Sequence, residues 1–244
     1  MKTRIGIICM LLLFSQGLRA QLTKVQIEEK VRKGESLSAV DLSYIDLRGA
    51  DLTGAQLDGA NLQGADLRGA RLKGAYLRKA NLLFAKLDSA NFTFASIKGA
   101  RLDTGLIQGA IFDRVDFSGM NLKGIQIINS SFKHCKFQKT KLTKIRLQGT
   151  FFYADFCGAK LKDANLSNSD LRGSKFHGSL IDGADLSEAN LNGGEFYRAR
   201  MRNCRLRGIT IKGADFSQAD LDGILISSEA ELKAGLQKMG ASLL

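Results

Sequence analysis

The side chains best suited to nucleophilic, acid–base or metal chemistry in this 244-residue chain are two histidines and four cysteines. A catalytic thiol needs a base within hydrogen-bond reach, and a metal site needs several ligands converging on one point. His134 and His177 lie 43 residues apart, and neither has a Cys or Asp at a spacing that suggests a triad or a ligand set. Cys9 belongs to an apolar leader. Cys135 and Cys204 fall at inward small positions of the repeat described below, where a thiol acts as a small hydrophobe. Cys157 falls outward. An odd number of cysteines outside the leader is no disulfide framework, so all three are expected to be unpaired and to hold no metal. The many Asp and Asn residues recur singly at one repeat position, and the glycines recur at another. Neither set therefore reads as paired catalytic carboxylates or a phosphate loop. We expect no catalytic, cofactor-binding or metal-binding residue, no cofactor, and no enzyme activity.

Charge is the second chemical signal. The chain is formally +12, and removing Lys2, Arg4 and Arg19 with the leader leaves 33 basic against 24 acidic residues, or +9. Two stretches carry the excess without any acid. Residues 117–154 contain Lys123, Lys133, Lys136, Lys139, Lys141, Lys144 and Arg146. Residues 196–214 contain Arg198, Arg200, Arg202, Arg205, Arg207 and Lys212. Such belts suit an anionic partner: a surface glycan, a lipid head group or an acidic protein.

The elements that position these residues follow from a five-residue period. From Ala50 to Ala100 the chain reads ADLTG AQLDG ANLQG ADLRG ARLKG, and so on. A large apolar centre stands at every fifth residue from Leu52 to Ile97, with Ala two places before it and Gly often two places after. A helix wants apolar residues about every 3.6 positions and a half-buried strand every second one, so a sustained period of five fits neither. It fits a chain that runs extended for two or three residues, turns a corner and repeats, with Gly tolerating the corner. Four sides close a square coil of about 20 residues, and coils stack at about 4.8 Å. The A(D/N)LxG pattern resembles the pentapeptide-repeat family. The resemblance implies an all-β solenoid, a right-handed quadrilateral parallel β-helix.

The chain then divides as follows. Residues 1–20 read as a secretory signal peptide, with a charged start, an apolar run from Ile5 to Phe14 and cleavage between Ala20 and Gln21. Residues 21–35 form a capping helix, with Thr23 at its start, Val25, Ile27 and Val31 on one side and Gly34 at its end. Repeats fill 36–227, with about 39 centres and about ten coils. Ser228 and Glu231 make a capping box for a second helix in 228–244. Centres run from Leu37 to Leu147, with Phe152 as the continuation, and again from Phe156 to Ile226. One residue is therefore missing near Thr150–Tyr153. The small position turns bulkier at Val115, Met120, Ile125, Ser130, Cys135, Thr140, Ile145 and Thr150, which predicts a swollen waist over 115–150.

Outward apolar residues are few. Leu106 and Ile128 share a face with Phe84 at its edge, and Phe94 and Ile111 lie around the next corner. Together they suggest a modest patch for a partner or for self-association. The expected function is a non-enzymatic, exported scaffold, periplasmic or extracellular, that binds a protein or an anionic envelope component. A secreted effector acting on a host or neighbouring cell is the alternative. Some members of the family resemble duplex DNA. That mimicry needs an acidic surface and the cytosol, and a basic, exported chain disfavours it. No specific nucleic acid and no transmembrane span in the mature chain are expected.

Overall fold

The computed structural model describes residues 22–102, 105–226 and Leu236. The expected signal peptide with its cleavage point, and all of the expected C-terminal helix except Leu236, lie outside these residues. Leu236 itself is helical and fully buried.

Parallel bridges join residues 20 apart from Asp41↔Asn61 to Asn121↔Lys141 and again from Thr150↔Asp170 onward, so each of these coils has four five-residue sides. Each side is closed by a pair of backbone bonds to its neighbours: the Leu42 N–H donates to the Asn61 carbonyl at 2.8 Å, and the Asn61 N–H donates to the Val40 carbonyl at 3.0 Å. The repeated Asp or Asn has a local task. Its side-chain oxygen accepts the backbone N–H two residues on, as Asp41 does from Ser43 and Asn91 from Thr93. This is an Asx turn that fixes the corner.

Centres and small residues form the interior. Leu62 and Leu82 are buried in one column, and Leu102 above them is partly buried. Two phenylalanine columns run side by side through the second half. Phe92, Phe112, Phe132 and Phe151 stack with ring centroids 4.9–5.3 Å apart. Phe117, Phe137, Phe156, Phe176, Phe196 and Phe216 stack at 4.6–4.9 Å. Polar small residues bond inward carbonyls: Thr140 Oγ1 donates to Phe117 O at 2.9 Å and Ser174 Oγ to Phe151 O at 2.6 Å.

Helix α1 (Lys24–Arg32) lies on the first coils. Thr23 and Gln26 form a capping box. Ile27 is buried in the common core, Asp51 N donates to Glu28 Oε1 at 2.9 Å, and Lys24 Nζ donates to Arg48 O at 2.6 Å. Val25, expected on the covered side, is 71 % exposed. It starts the first turn two residues from Ile27, and so points away from the coil that Ile27 enters.

The phase slip exists but sits one repeat earlier than the sequence indicates. Bridges are 20 residues apart at Asp116↔Lys136 and 19 apart at Lys136↔Asp155. Three short strands share one side: β1 (Leu106–Gln108), β2 (Gln126–Ser131) and β3 (Arg146–Thr150). Between β2 and β3 the register moves from Ile127↔Leu147 to Ser130↔Gly149, so the missing residue belongs to the corner at Gln148–Gly149. Phe151 is consequently the buried centre, continuous with the Phe132 stack, and Phe152 lies outside.

The corner at Ile107–Ala110 lacks its usual turn bond, and the inward serine of the coil above replaces it. Ala110 N donates to Ser130 Oγ at 3.1 Å, and Ser130 Oγ donates to Ile128 O at 2.9 Å. Ser130→Ala would leave a buried N–H without a partner, so we expect a loss of about 1–3 kcal/mol, read as a lowered urea midpoint. Ser179→Ala orphans no donor, because Ser179 Oγ donates to a carbonyl that the Ser179 N–H also reaches, and is expected to change the midpoint less.

Bulky inward residues from Val115 to Ile145 are all buried. The step up in their size coincides with a break in the ladder. Among the described residues no backbone hydrogen bond joins 96–102 to 116–122, where Ala95 and Ala100 precede Val115 and Met120 by one coil. A groove of about 470 Å³ opens there, lined by Leu83, Leu102, Met120, Asn121 and Lys123 among others.

Candidate interaction surface

The two basic belts differ once their neighbours are placed. In the second, Arg200 Nε donates to Asp182 Oδ2 at 2.6 Å, Arg202 Nε to Asp220 Oδ2 at 2.6 Å and Arg198 Nε to Gln218 Oε1 at 2.8 Å. Arg198 also lies over the Tyr197 ring. Arg205 and Arg207 are exposed. Pairing between successive coils therefore spends much of this belt.

The first belt is different. Lys133, Lys136, Lys139, Lys141, Lys144 and Arg146 are all exposed. Among the described residues none of them forms an ion pair. They wrap the coil as expected, but the coil above adds to one side only. Lys141 and Lys160 are bridge partners, and Lys144 N donates to Lys162 O at 2.9 Å. Lys139, Lys141, Lys144, Lys160 and Lys162 thus crowd one face of two stacked coils. Earlier coils balance their charge locally: Arg48 binds Asp46, Arg68 binds Asp66 and Arg71 binds Asp51. Hydrogen bonds from Arg71 and Thr53 hold the Asp51 carboxyl down at about 2. Such exposed pairs contribute little to stability.

Leu106 is 50 % exposed and Phe84 63 % exposed, while Ile128 is half-buried. Leu106 pairs with Gln126, and Gln108 with Ile128, so amides alternate with the apolar residues across β1 and β2. The apolar surface expected there is interrupted. A stronger aromatic feature lies around the next corner. Arg114 covers Phe94, His134 stacks on Tyr153 at 5.6 Å, and Arg172 covers Phe152. Contacts of this kind hold exposed rings in place.

One cluster combines a thiol, an imidazole and carboxylates. Cys157 and His177 occupy the same outward position of successive coils, and His177 Nε2 lies 2.6 Å from Glu195 Oε2. The sequence reading missed this pair, although a separation of 18 residues is what stacking coils would bring together. Burial and a hydrogen bond to Asp155 push the Cys157 thiol up to about 11. A nucleophilic cysteine needs the opposite shift. Asp155→Asn should lower the thiol pKa and speed its alkylation by iodoacetamide at pH 8, with Cys135 and Cys204 slow in both proteins. All three cysteines are free, and burial raises the thiols of Cys135 and Cys204 further, the latter to about 12. Among the described residues no group of three or more His, Cys, Asp or Glu is placed to hold a metal ion, and no helix is long and apolar enough to cross a membrane.

A square coil with Asx-braced corners, Ala beside each centre and a Leu or Phe at every fifth residue defines a class. Pentapeptide repeats, in eight copies, match residues 36–74, 65–103, 175–208 and 184–224, and a pentapeptide repeat region matches 105–186. The chain belongs to the pentapeptide-repeat family, whose members fold as right-handed quadrilateral β-helices. It is similar to HetL, a pentapeptide repeat protein involved in heterocyst differentiation regulation in the cyanobacterium Nostoc: identity is 29 %, coverage 76 % of each chain, and the TM-score 0.36. QnrB1, a plasmid-mediated fluoroquinolone resistance protein, is 17 % identical, with 79 % of this chain and 95 % of that one covered and a TM-score of 0.49. A pentapeptide repeat protein of the Arabidopsis thaliana thylakoid lumen is 28 % identical over 49 % of this chain and 72 % of that one, with a TM-score of 0.30. No curated protein matches the chain.

Proposed function

We propose that this protein is a non-enzymatic, exported scaffold of about ten coils, closed at its far end by the segment 228–244, that binds an acidic protein partner. One observation carries the reading: the lysines of 139–162 gather on a single face without ion-pair partners among the described residues, whereas the arginines at 200 and 202 are paired. Unpaired cations on a rigid face raise the local concentration of an anionic partner and speed its association. The unactivated Cys157 thiol supports the absence of covalent chemistry. The leader of residues 1–20 supports export.

The test is a crosslinking pull-down from envelope extract. Lys139, Lys141, Lys144, Lys160 and Lys162 are changed to Gln in one variant, and Arg200 and Arg202 in another. The lysine variant should lose the acidic partner and the arginine variant should keep it. Equal recovery with both would end the charge reading. Fractionation after expression checks export, and recovery in the medium rather than the periplasm would favour the secreted-effector alternative.

A further inference from the structure

The missing residue at Gln148–Gly149 does more than shift the phase. The corner between the β1–β3 side and the next one is held by Gly109, Asn129 and Asn168 in the coils around the slip. Asn129 stands there in one coil and Asn168 two coils on, and the coil between them lacks that residue: Gln148 alone faces Ile128 and Asn129, and Gly149 pairs with Ser130 at the inward position. A gap of two coil steps, about 9.6 Å, therefore separates two exposed carboxamides. The resulting notch has a volume of about 640 Å³ and includes Asn129, Gly149, Asn168, Lys133, Arg146 and Ile111 in its wall. That volume lies within the range of small-ligand sites, about 300–1,000 Å³.

The chemistry of the wall limits the ligand. A predominantly apolar molecule would find one exposed aliphatic side chain, Ile111, and otherwise amides, hydroxyls and charges. Two carboxamides can each donate and accept, which suits neighbouring hydroxyls on one ring. Arg146 and Lys133 approach from the two sides of the corner. Arg146 engages only Gln148, through Nε at 3.0 Å, which leaves its terminal nitrogens for an anion. The one carboxylate in the wall, Asp170, is already held by Arg172 at 2.6 Å. Gly149 cannot be filled in by a side chain, because a Cβ there would collide with the Ser130 backbone. The gap is therefore a fixed feature of the corner.

We propose that this notch is a saccharide site and that it takes a uronic-acid residue of an anionic glycan. The carboxamides of Asn129 and Asn168 bind ring hydroxyls, and Arg146 with Lys133 binds the carboxylate. The site lies on a different face from the lysines of the proposed protein-binding surface, so the two readings fail separately.

The test measures binding of the full chain to oligogalacturonate and to hyaluronate oligosaccharides by calorimetry, with malto-oligosaccharide as the neutral control and inorganic sulfate as a competitor. Asn129→Gly and Asn168→Gly remove the carboxamides without strain, since both residues have positive φ, 51° and 57°. At least one acidic oligosaccharide should bind, with no displacement by equimolar sulfate and no binding of the neutral chain. The double glycine variant and Arg146→Gln should each weaken binding about tenfold, whereas Lys160→Gln with Lys162→Gln should leave it unchanged. Failure of both acidic oligosaccharides to bind, equal binding of the neutral one, displacement by sulfate, or unchanged affinity in the glycine variant would overturn the proposal. Dependence on Lys160 and Lys162 would overturn it equally, by showing diffuse attraction to the lysine face.

Discussion

Gly149→Ala is expected to destabilise the protein by on the order of 4 kcal/mol or more, among the largest effects of any single substitution. A methyl group at this position would collide with the Ser130 carbonyl oxygen and stand 3.0 Å from the Ser130 carbonyl carbon and nitrogen. These are backbone atoms of the adjoining coil. They cannot swing aside as a side chain could, and moving them would pull Ser130 Oγ away from the Ala110 N–H that it satisfies. The control is Gly54→Ala, at an ordinary corner with φ +68° and nothing within 4 Å of the new methyl. There the only penalty is the left-handed backbone, about 1–2 kcal/mol. Many corners, including Tyr44 and Lys79, already carry non-glycine residues at such angles. Chemical denaturation of both variants gives the comparison. Equal losses would mean that the 147–150 corner is not closed down on Ser130.

What the sequence made legible, and what it hid, follows from which interactions repeat. The five-residue period reports an inward side chain at every fifth residue, and those side chains are buried from Leu37 to Leu221 apart from the partly buried Leu102 and Ile211. The slip was countable, because nine residues separate Leu147 from Phe156. Its position was ambiguous because Phe151 and Phe152 are adjacent and chemically alike, and only stacking on Phe132 distinguishes them. The arginine pairing was in principle readable. Asp182 and Asp220 stand 18 residues from Arg200 and Arg202, a separation that stacked coils convert into contact, but counting bases alone leaves the acids out. The bulky stretch was legible as residue types, while its consequence was not. Larger inward side chains begin at the unbonded seam beside Val115 and Met120 and end at the shortened corner after Ile145. A block of different size inside a periodic stack puts its misfit at its two boundaries, since close-packed interiors do not deform evenly.

Phe151→Ala and Phe152→Ala form the second decisive comparison, because they exchange roles between the two possible phases. Phe151 is fully buried, stacks on Phe132 at 4.9 Å and meets the tilted ring of Phe156 at 5.8 Å. Its loss removes one ring from each of these contacts and leaves a cavity in a column that has no alternative packing, so about 3–5 kcal/mol should disappear. Phe152 is half-exposed, and its contacts are Tyr153 and the Arg172 guanidinium, 4.8 Å from its ring. Truncating it should cost about 0.5–1 kcal/mol. In a stacked-repeat protein each coil leans only on its neighbours, so the Phe151 cavity should also uncouple the two halves. Hydrogen exchange would then quicken on both sides of residue 151 while α1 and the first coils keep their protection. A larger loss at Phe152 than at Phe151 would return the missing residue to the repeat after Gly149. Phe132 would then lose its stacking partner, and the corner that forms the notch would have to carry a side chain.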